Sequence, residues 1–314
     1  MGTKTNTGSV RVPLKTVLAK DLKENKFKYL MILPVLVYFG LFAYKPMYGI
    51  IIAFQNYRPN LGISGSSWVG LKHFRDFLSD VYFFRLLRNT LSIGILSVIF
   101  GFPAPIILAI LLNEVKKDVF KRTVQTITYM PYFISMVVIC GLIITYTSST
   151  GIFSQIAVAF GGIPKNYLMS PKYFYPIYII SDIWHGVGWG SIIYLAALAG
   201  IDQEQYEAAR IDGAGRFRRM LHITLPNLLP TIVLLFVLRM GGIINVGFEK
   251  IILLYNSMTY EVADVISSYV YRRGILEASF SYSAAVGLFN SLVNVFFLLA
   301  ANKISKKLTD SSLF

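Results

Sequence analysis

Runs of roughly twenty apolar residues, long enough to cross a hydrocarbon layer about 30 Å thick, recur along this sequence and leave few folds open to it. A backbone in hydrocarbon must satisfy its own hydrogen bonds, so such runs cross as helices. Only 15% of the 314 residues are charged, and the deficit lies in these runs; soluble domains carry about a quarter. Six spans fit: 29–54, interrupted by Lys45-Pro46; 90–112, loosened by Gly94, Gly101, Pro103 and Pro105; then 124–146, 173–199, 227–247 and 283–302. The expected fold is an all-α integral membrane protein with six transmembrane helices.

A net charge of +14 invites a nucleic-acid partner, but the distribution of Lys and Arg argues for membrane sidedness instead. With the N-terminus inside, eighteen basic residues fall on inner segments and ten on outer loops. Both termini and the polar stretch 201–230 then face the cytoplasm, and no nucleic acid is expected. No small-residue cleavage site follows a short apolar run, so the first span is expected to stay as a signal anchor. Residues 1–28 form a basic tail, 29–84 the first span and an outer loop, 85–304 the main transmembrane unit, and 305–314 a second tail. In the outer segments, an interfacial helix is expected over 74–87. Between 249 and 280, Val262, Val265, Ile266, Tyr269 and Val270 recur at helical spacing, as on a helix that lies against the protein or the bilayer surface or, alternatively, contacts substrate directly.

Catalytic chemistry has nothing to rest on. Cys140 is alone in an apolar run, and His73, His185 and His222 are too far apart for a metal site. There is no G-x-x-x-x-G-K-[ST], H-E-x-x-H or G-x-S-x-G, so neither nucleotide binding nor hydrolysis is expected in this chain. Asp182 and His185 invite a proton relay, but Asp182 lies 17 residues from Ala199, about 26 Å along a helix, near the outer interface where an acid is tolerated.

The informative stretch is IDQEQYEAARIDGAGRFRRMLHITLPNLLP, residues 201–230, which carries eight charged residues between two apolar runs. Asp202 with Gln205 three residues later forms a capping-box pattern, and Glu204 falls in the first turn, where the helix dipole favours an acid. The helix so started meets Gly213, a left-handed terminator. A second helical stretch over 216–223 is expected to end at Leu225-Pro226. Ala208 and Ala209 keep one face thin enough to enter a groove, while Glu207 and Arg210 can pair with each other or with charges on its wall. At about nine residues, roughly 13 Å, this helix is short enough to act as a rigid lever.

Glu207-Ala208-Ala209-Arg210-Ile211-Asp212-Gly213-Ala214, followed by Ile223-Thr224-Leu225-Pro226, resembles the cytoplasmic E-A-A-x-x-D-G-A segment of permease subunits of binding-protein-dependent ABC importers. The part from about Arg85 to Lys303 looks like the type I transmembrane domain of that family, with 201–230 as its coupling loop. Tyr57-Arg58-Pro59 and Ser67–Phe74 resemble the carbohydrate branch, and within it permeases for complex oligosaccharides and polysaccharide fragments. The resemblance implies half of a translocation pathway in a bacterial cytoplasmic membrane. It also implies a second homologous permease subunit, as a heterodimer, two ATPase subunits that bind ATP and Mg, and an extracytoplasmic solute-binding protein. Glu207, Ala208, Ala209, Asp212, Gly213 and Ala214 would couple to the ATPases.

Polar residues within the spans are the candidates for the pathway. Arg239, 12 residues beyond Asn227 and so about 18 Å in, is expected near mid-membrane, where a charge usually faces a cavity and would suit an anionic sugar such as a uronate. Asn290 and Asn294 share a face of the sixth span and serve either interhelical hydrogen bonds or sugar contact. Trp184 fits an interfacial belt or a stacking surface, while Trp189 and Asn245 fit helix packing or pathway lining. The competing class, a stand-alone ion-coupled transporter, calls for paired acids at the midplane and internal pseudo-symmetry, and the sequence has neither.

Overall fold

A computed structural model describes residues 21–309, and its regular structure is helical apart from one two-residue hairpin. The first span is continuous over Lys26–Phe54 and opens with α1 (Lys26–Phe39). The hairpin pairs β1 (Gln55–Asn56) with β2 (Ser67–Trp68) antiparallel, and α2 (Lys72–Leu78) follows. The second span, Phe83–Asn113, joins α3 (Phe83–Leu96) to α4 (Pro103–Asn113). Next come α5 (Asp118–Tyr129), α6 (Met136–Thr147), α7 (Ile152–Ala159) and α8 (Pro171–Ala199). The polar stretch holds α9 (Gln203–Ile211) and α10 (Arg216–Arg219), which continues into α11 (Leu225–Met240). Three short helices, α12 (Phe248–Leu254), α13 (Tyr260–Ala263) and α14 (Ile266–Tyr271), lead to α15 (Phe280–Thr309). Among the described residues five helices are long and apolar enough to cross a membrane, or six if α8 and α9, bent by 70°, count as one span.

Three apolar clusters tie the spans together. One joins α6, the first half of α8 and α12 through Ile139, Phe174, Tyr178 and Ile251. The second joins α2, α3, α14 and α15 through Phe77, Leu86, Tyr269 and Val286. The third sits beside α9 and joins α4, α8 and α11 through Ala109, Leu198 and Leu228. α1 takes no part and buries no residue, although Leu, Ile, Val and Phe surround it. A helix apolar all round with nothing packed on it suits lipid or another apolar chain. Its span is held by its last turns, where Ala53 is fully buried.

Several boundaries differ from the sequence expectation. The interfacial helix expected over 74–87 is two helices, because the Asp80 carboxylate accepts the Tyr82 N–H at 2.9 Å and starts a new one. The span expected over 124–146 is broken at Met130–Phe133, where Pro131 cannot donate and Ser135 caps α6. The apolar span there is Met136–Ala159. Leu225-Pro226 does not end a helix: a wide turn at Met220–Thr224 shifts the hydrogen-bond register just before Pro226, and the helix runs from Arg216 to Met240. The fifth span therefore stops seven residues short of 247, at Gly241-Gly242.

Two close approaches depend on glycine. A Cβ at Gly188 of α8 would lie 2.0 Å from the Thr128 carbonyl oxygen of α5, and one at Gly94 of α3 would lie 2.4 Å from the Ile243 carbonyl oxygen. Gly188→Ala should therefore destabilise the protein by about 1–3 kcal/mol, as overpacked sites do, and lower its unfolding temperature in detergent. Gly186→Ala, with open space around the new Cβ, is the control and should change little.

Candidate functional site

α9 projects from the end of the molecule where α8 stops. Asp202 caps it, its carboxylate accepting the Glu204 N–H at 2.9 Å. Gln205 does not complete the capping box; its Oε1 accepts from Asn227 Nδ2 at 3.1 Å. Tyr206 Oη meets Thr224 Oγ1 at 3.0 Å and packs on the third cluster, where Ile201 is buried. Gly213 ends the helix at φ +77°, and the Ala214 N–H donates to the Ala209 carbonyl at 2.8 Å. One side of α9 is thus fixed to the start of the fifth span and, through Ile201, to the end of the fourth. Its other side is open. Glu207, Ala208, Arg210 and Asp212 are exposed, Ile211 is 87% exposed and Phe217, just beyond, 69%. Glu207 and Arg210 do not pair with each other among the described residues. This is a thin, mixed polar and apolar surface that none of the described residues covers.

Along the middle part of α15 the structure gathers three of the expected pathway residues. Asn245 lies in the turn after α11, not in a helix. Its Oδ1 accepts from Asn290 Nδ2 at 3.1 Å and from Asn294 Nδ2 at 3.0 Å. Asn294 Oδ1 in turn accepts the Ile244 N–H at 3.2 Å, so the buried Asn294 satisfies backbone that α11 left open. Asn245 itself is exposed. Arg239 sits in the last turn of α11, 23 residues and about 35 Å from the helix start at Arg216, and Gly241 just beyond it lies against Leu298 in the middle part of α15. Arg239 is exposed and has no hydrogen bond or ion pair among the described residues.

The tryptophans lie elsewhere. Trp184 lines an apolar cleft of about 520 Å³ between α6, α7 and α8, with Tyr146, Phe153 and Ile180. Trp189 stacks face to face on Tyr132 at 4.7 Å and 3°, and Tyr132 stacks on His185 at 5.7 Å. One face of Trp189 is therefore covered by protein.

Asp182 is not a free acid. Lys250, 2% exposed, reaches its Oδ1 at 3.3 Å, donates to the Tyr178 carbonyl at 2.9 Å and lies 4.5 Å from the Tyr178 ring centroid. The sequence reading overlooked Lys250, although a single lysine ahead of Ile251-Ile252-Leu253-Leu254 was a visible signal. It also overlooked Asp264, which is fully buried. Asp264 accepts from Arg272 at 2.7 Å, Ser268 at 2.8 Å and Arg85 at 3.4 Å, fastening α14 to the start of α3. Nearby, burial pushes the Asp80 carboxyl up, but hydrogen bonds from Tyr269 Oη, the Tyr82 N–H and Tyr282 Oη outweigh it and hold the group below its ordinary value. Stability from Asp80 is thus complete above the ordinary aspartate range and is lost as pH falls through the lowered folded value.

The fold and these sites define a multi-pass membrane protein with a short exposed helix where its fourth span ends. The family description "Binding-protein-dependent transport system inner membrane component" matches residues 101–310. The chain belongs to this family: it is a permease subunit of a binding-protein-dependent ABC importer, not an enzyme. It is similar to Protein LplB of Bacillus subtilis (strain 168), 47% identical over 93% of this chain and 92% of that protein. It is also similar to the polygalacturonan/rhamnogalacturonan transport system permease protein YteP of the same organism, 46% identical over 96% and 94%. Among solved structures, a chain of a bacterial ABC transporter involved in the import of the acidic polysaccharide alginate superposes with a TM-score of 0.86. That chain is 43% identical, over 93% of this chain and 99% of its own length. Membership implies a paired permease, separate ATPase subunits that use ATP, and a solute-binding protein.

Asp264→Ala should strand Arg272 and Arg85 and cost about 3–5 kcal/mol, as removing one partner of a buried pair does, visible as a lower unfolding temperature of the purified complex. Asp264→Asn, which keeps an acceptor for Ser268, should cost less.

Proposed function

We propose that the chain forms half of the translocation pathway for an acidic oligosaccharide or polysaccharide fragment, delivered by an extracytoplasmic binding protein. The other half is a homologous, non-identical permease subunit. The α9 end faces the cytoplasm, in keeping with the excess of Lys and Arg on the segments at that end. There Glu207, Ala208, Ala209, Asp212, Gly213 and Ala214 form the surface that enters a cleft on an ATPase subunit, and two such subunits bind and hydrolyse ATP with Mg. Residues 85–304 act as the transport unit, and 29–84 as an added span and outer segment.

The observation that carries the coupling role is the anchoring of α9. It is fixed to the fourth and fifth spans through Ile201, Tyr206–Thr224 and Gln205–Asn227, while its outer face is bare. A rigid body so held transmits displacement instead of absorbing it. Support for an acidic substrate comes from the relatives and from Arg239, an exposed cation without a partner among the described residues, on a helix that ends beside the asparagine cluster. Asn245, Asn290 and Asn294 offer amide groups to sugar hydroxyls, and Trp184 and Trp189 offer the remaining ring surface to the pathway.

Ala209→Trp or Glu207→Arg should abolish the rise in ATPase rate that a loaded binding protein produces in proteoliposomes of the complete importer. Wild-type stimulated turnover in both variants would overturn the coupling role. Arg239→Gln should lower uptake of a trigalacturonate about tenfold, as losing one charge-assisted contact does, with little change for a neutral arabino-oligosaccharide. Equal effects on the two sugars would remove Arg239 from substrate selection.

A further inference from the structure

A second polar site opens at the end of the molecule opposite α9. It is a cavity of about 530 Å³, within the usual range of ligand pockets, between the start of α3 and the connection from α13 to α15. Its floor holds two carboxylates that a visitor meets only indirectly. Asp264 is fully buried under Arg272 and Arg85, and Asp80 is capped by the hydroxyls of Tyr269 at 2.6 Å and Tyr282 at 3.0 Å. What the walls present is guanidinium interleaved with phenol ring. Arg85 lies 4.6 Å from the ring centroid of Tyr82, Arg272 5.5 Å from that of Tyr260, and Arg273 5.9 Å from that of Tyr269.

Three guanidiniums and three carboxylates line the cavity, but the partners are unevenly shared. Arg273 has its own partner, Glu277. Arg272 holds Asp264 with both terminal nitrogens, at 3.3 and 2.7 Å, and Arg85 reaches the same carboxylate only at 3.4 Å. One buried acid therefore serves two cations, and the second is the weaker contact. Arg85 remains 31% exposed. A half-exposed guanidinium with a long contact to an already bound carboxylate is set to receive another one, and the adjoining tyrosine rings suit the C–H face of a sugar.

We propose that this cavity is a mouth subsite of the importer that receives the carboxylate of a uronate unit as the oligosaccharide leaves the binding protein, with Arg85 as its ion-pairing group. The proposal rests on the acidic-sugar reading given above and adds where the charge is first recognised. A docking pocket for a side chain of the binding protein is the rival use. The tyrosine rings interleaved with guanidinium and the long, replaceable contact of Arg85 favour the sugar.

The test uses the complete importer with its binding protein in proteoliposomes, trigalacturonate as the probe, and Arg85→Gln beside Arg85→Lys. In either variant Asp264 keeps Arg272 and Ser268, and α3 stays tied to this segment through Asn89 Nδ2, which donates to the Asp264 carbonyl at 2.9 Å, and Thr90 Oγ1, which accepts the Ile266 N–H at 3.0 Å. Arg85→Gln should reduce trigalacturonate uptake about tenfold while binding-protein-stimulated ATPase stays within about twofold of wild type, because handover and not docking is lost. Arg85→Lys should recover most of the uptake. Uptake unchanged by Arg85→Gln overturns the subsite. Uptake and stimulated ATPase falling together also overturn it and assign the cavity to docking. Wild-type importer that takes up neutral arabino-oligosaccharide but no trigalacturonate overturns the acidic-sugar reading, and the subsite with it.

Discussion

Hydrocarbon offers no hydrogen bonds to a polypeptide, and the whole structure follows from how the backbone meets that condition. Most of the chain meets it as uninterrupted helix. The informative places are the exceptions, where helix stops and another part of the molecule must supply the missing partner. At Gly241–Gly247 the partner is Asn294, whose side chain accepts the Ile244 N–H, and close contact there requires Gly94 on the facing helix. At Gly200–Asp202 it is the Asp202 carboxylate, which begins α9 as soon as α8 ends. Each break is tied to a neighbouring span, so neither is a loose joint.

That arrangement separates two kinds of surface. At the α9 end a short helix is fastened on one side and, among the described residues, uncovered on the other. The opposite end is chemically rich, with Asp264, Asp80, Lys250 and their partners locking α12–α14 onto α3 and α8. Buried ion pairs are costly to desolvate and add little net stability, but they fix which groups meet. Here they hold three short helices, too short to be stable alone, as a rigid cap over the apolar clusters.

Much of this was legible in the sequence for a simple reason. Local rules set the membrane spans and α9: apolar length, Asp202 at the N-cap and Gly213 at the end all act within a few residues of themselves. Residues far apart in sequence set the rest. Gln205 looked committed to Asp202 but bonds Asn227, because a capping side chain can be claimed by a neighbouring helix. The helix that carries Arg239 starts at Arg216 and not at Asn227, since a wide turn carries it past Pro226.

The sequence by itself determined that the chain spans a membrane as helices and that a short helix, capped by Asp202 and ended by Gly213, stands between two apolar runs. Apolar length and capping are properties of contiguous residues, so no fold is needed to read them. Only the tertiary structure decided that Asn245, Asn290 and Asn294 meet, that Lys250 neutralises Asp182, and that Asp264 is shared between Arg85 and Arg272. Arg85 and Asp264 are 179 residues apart, and no periodicity encodes a hydrogen bond across that distance.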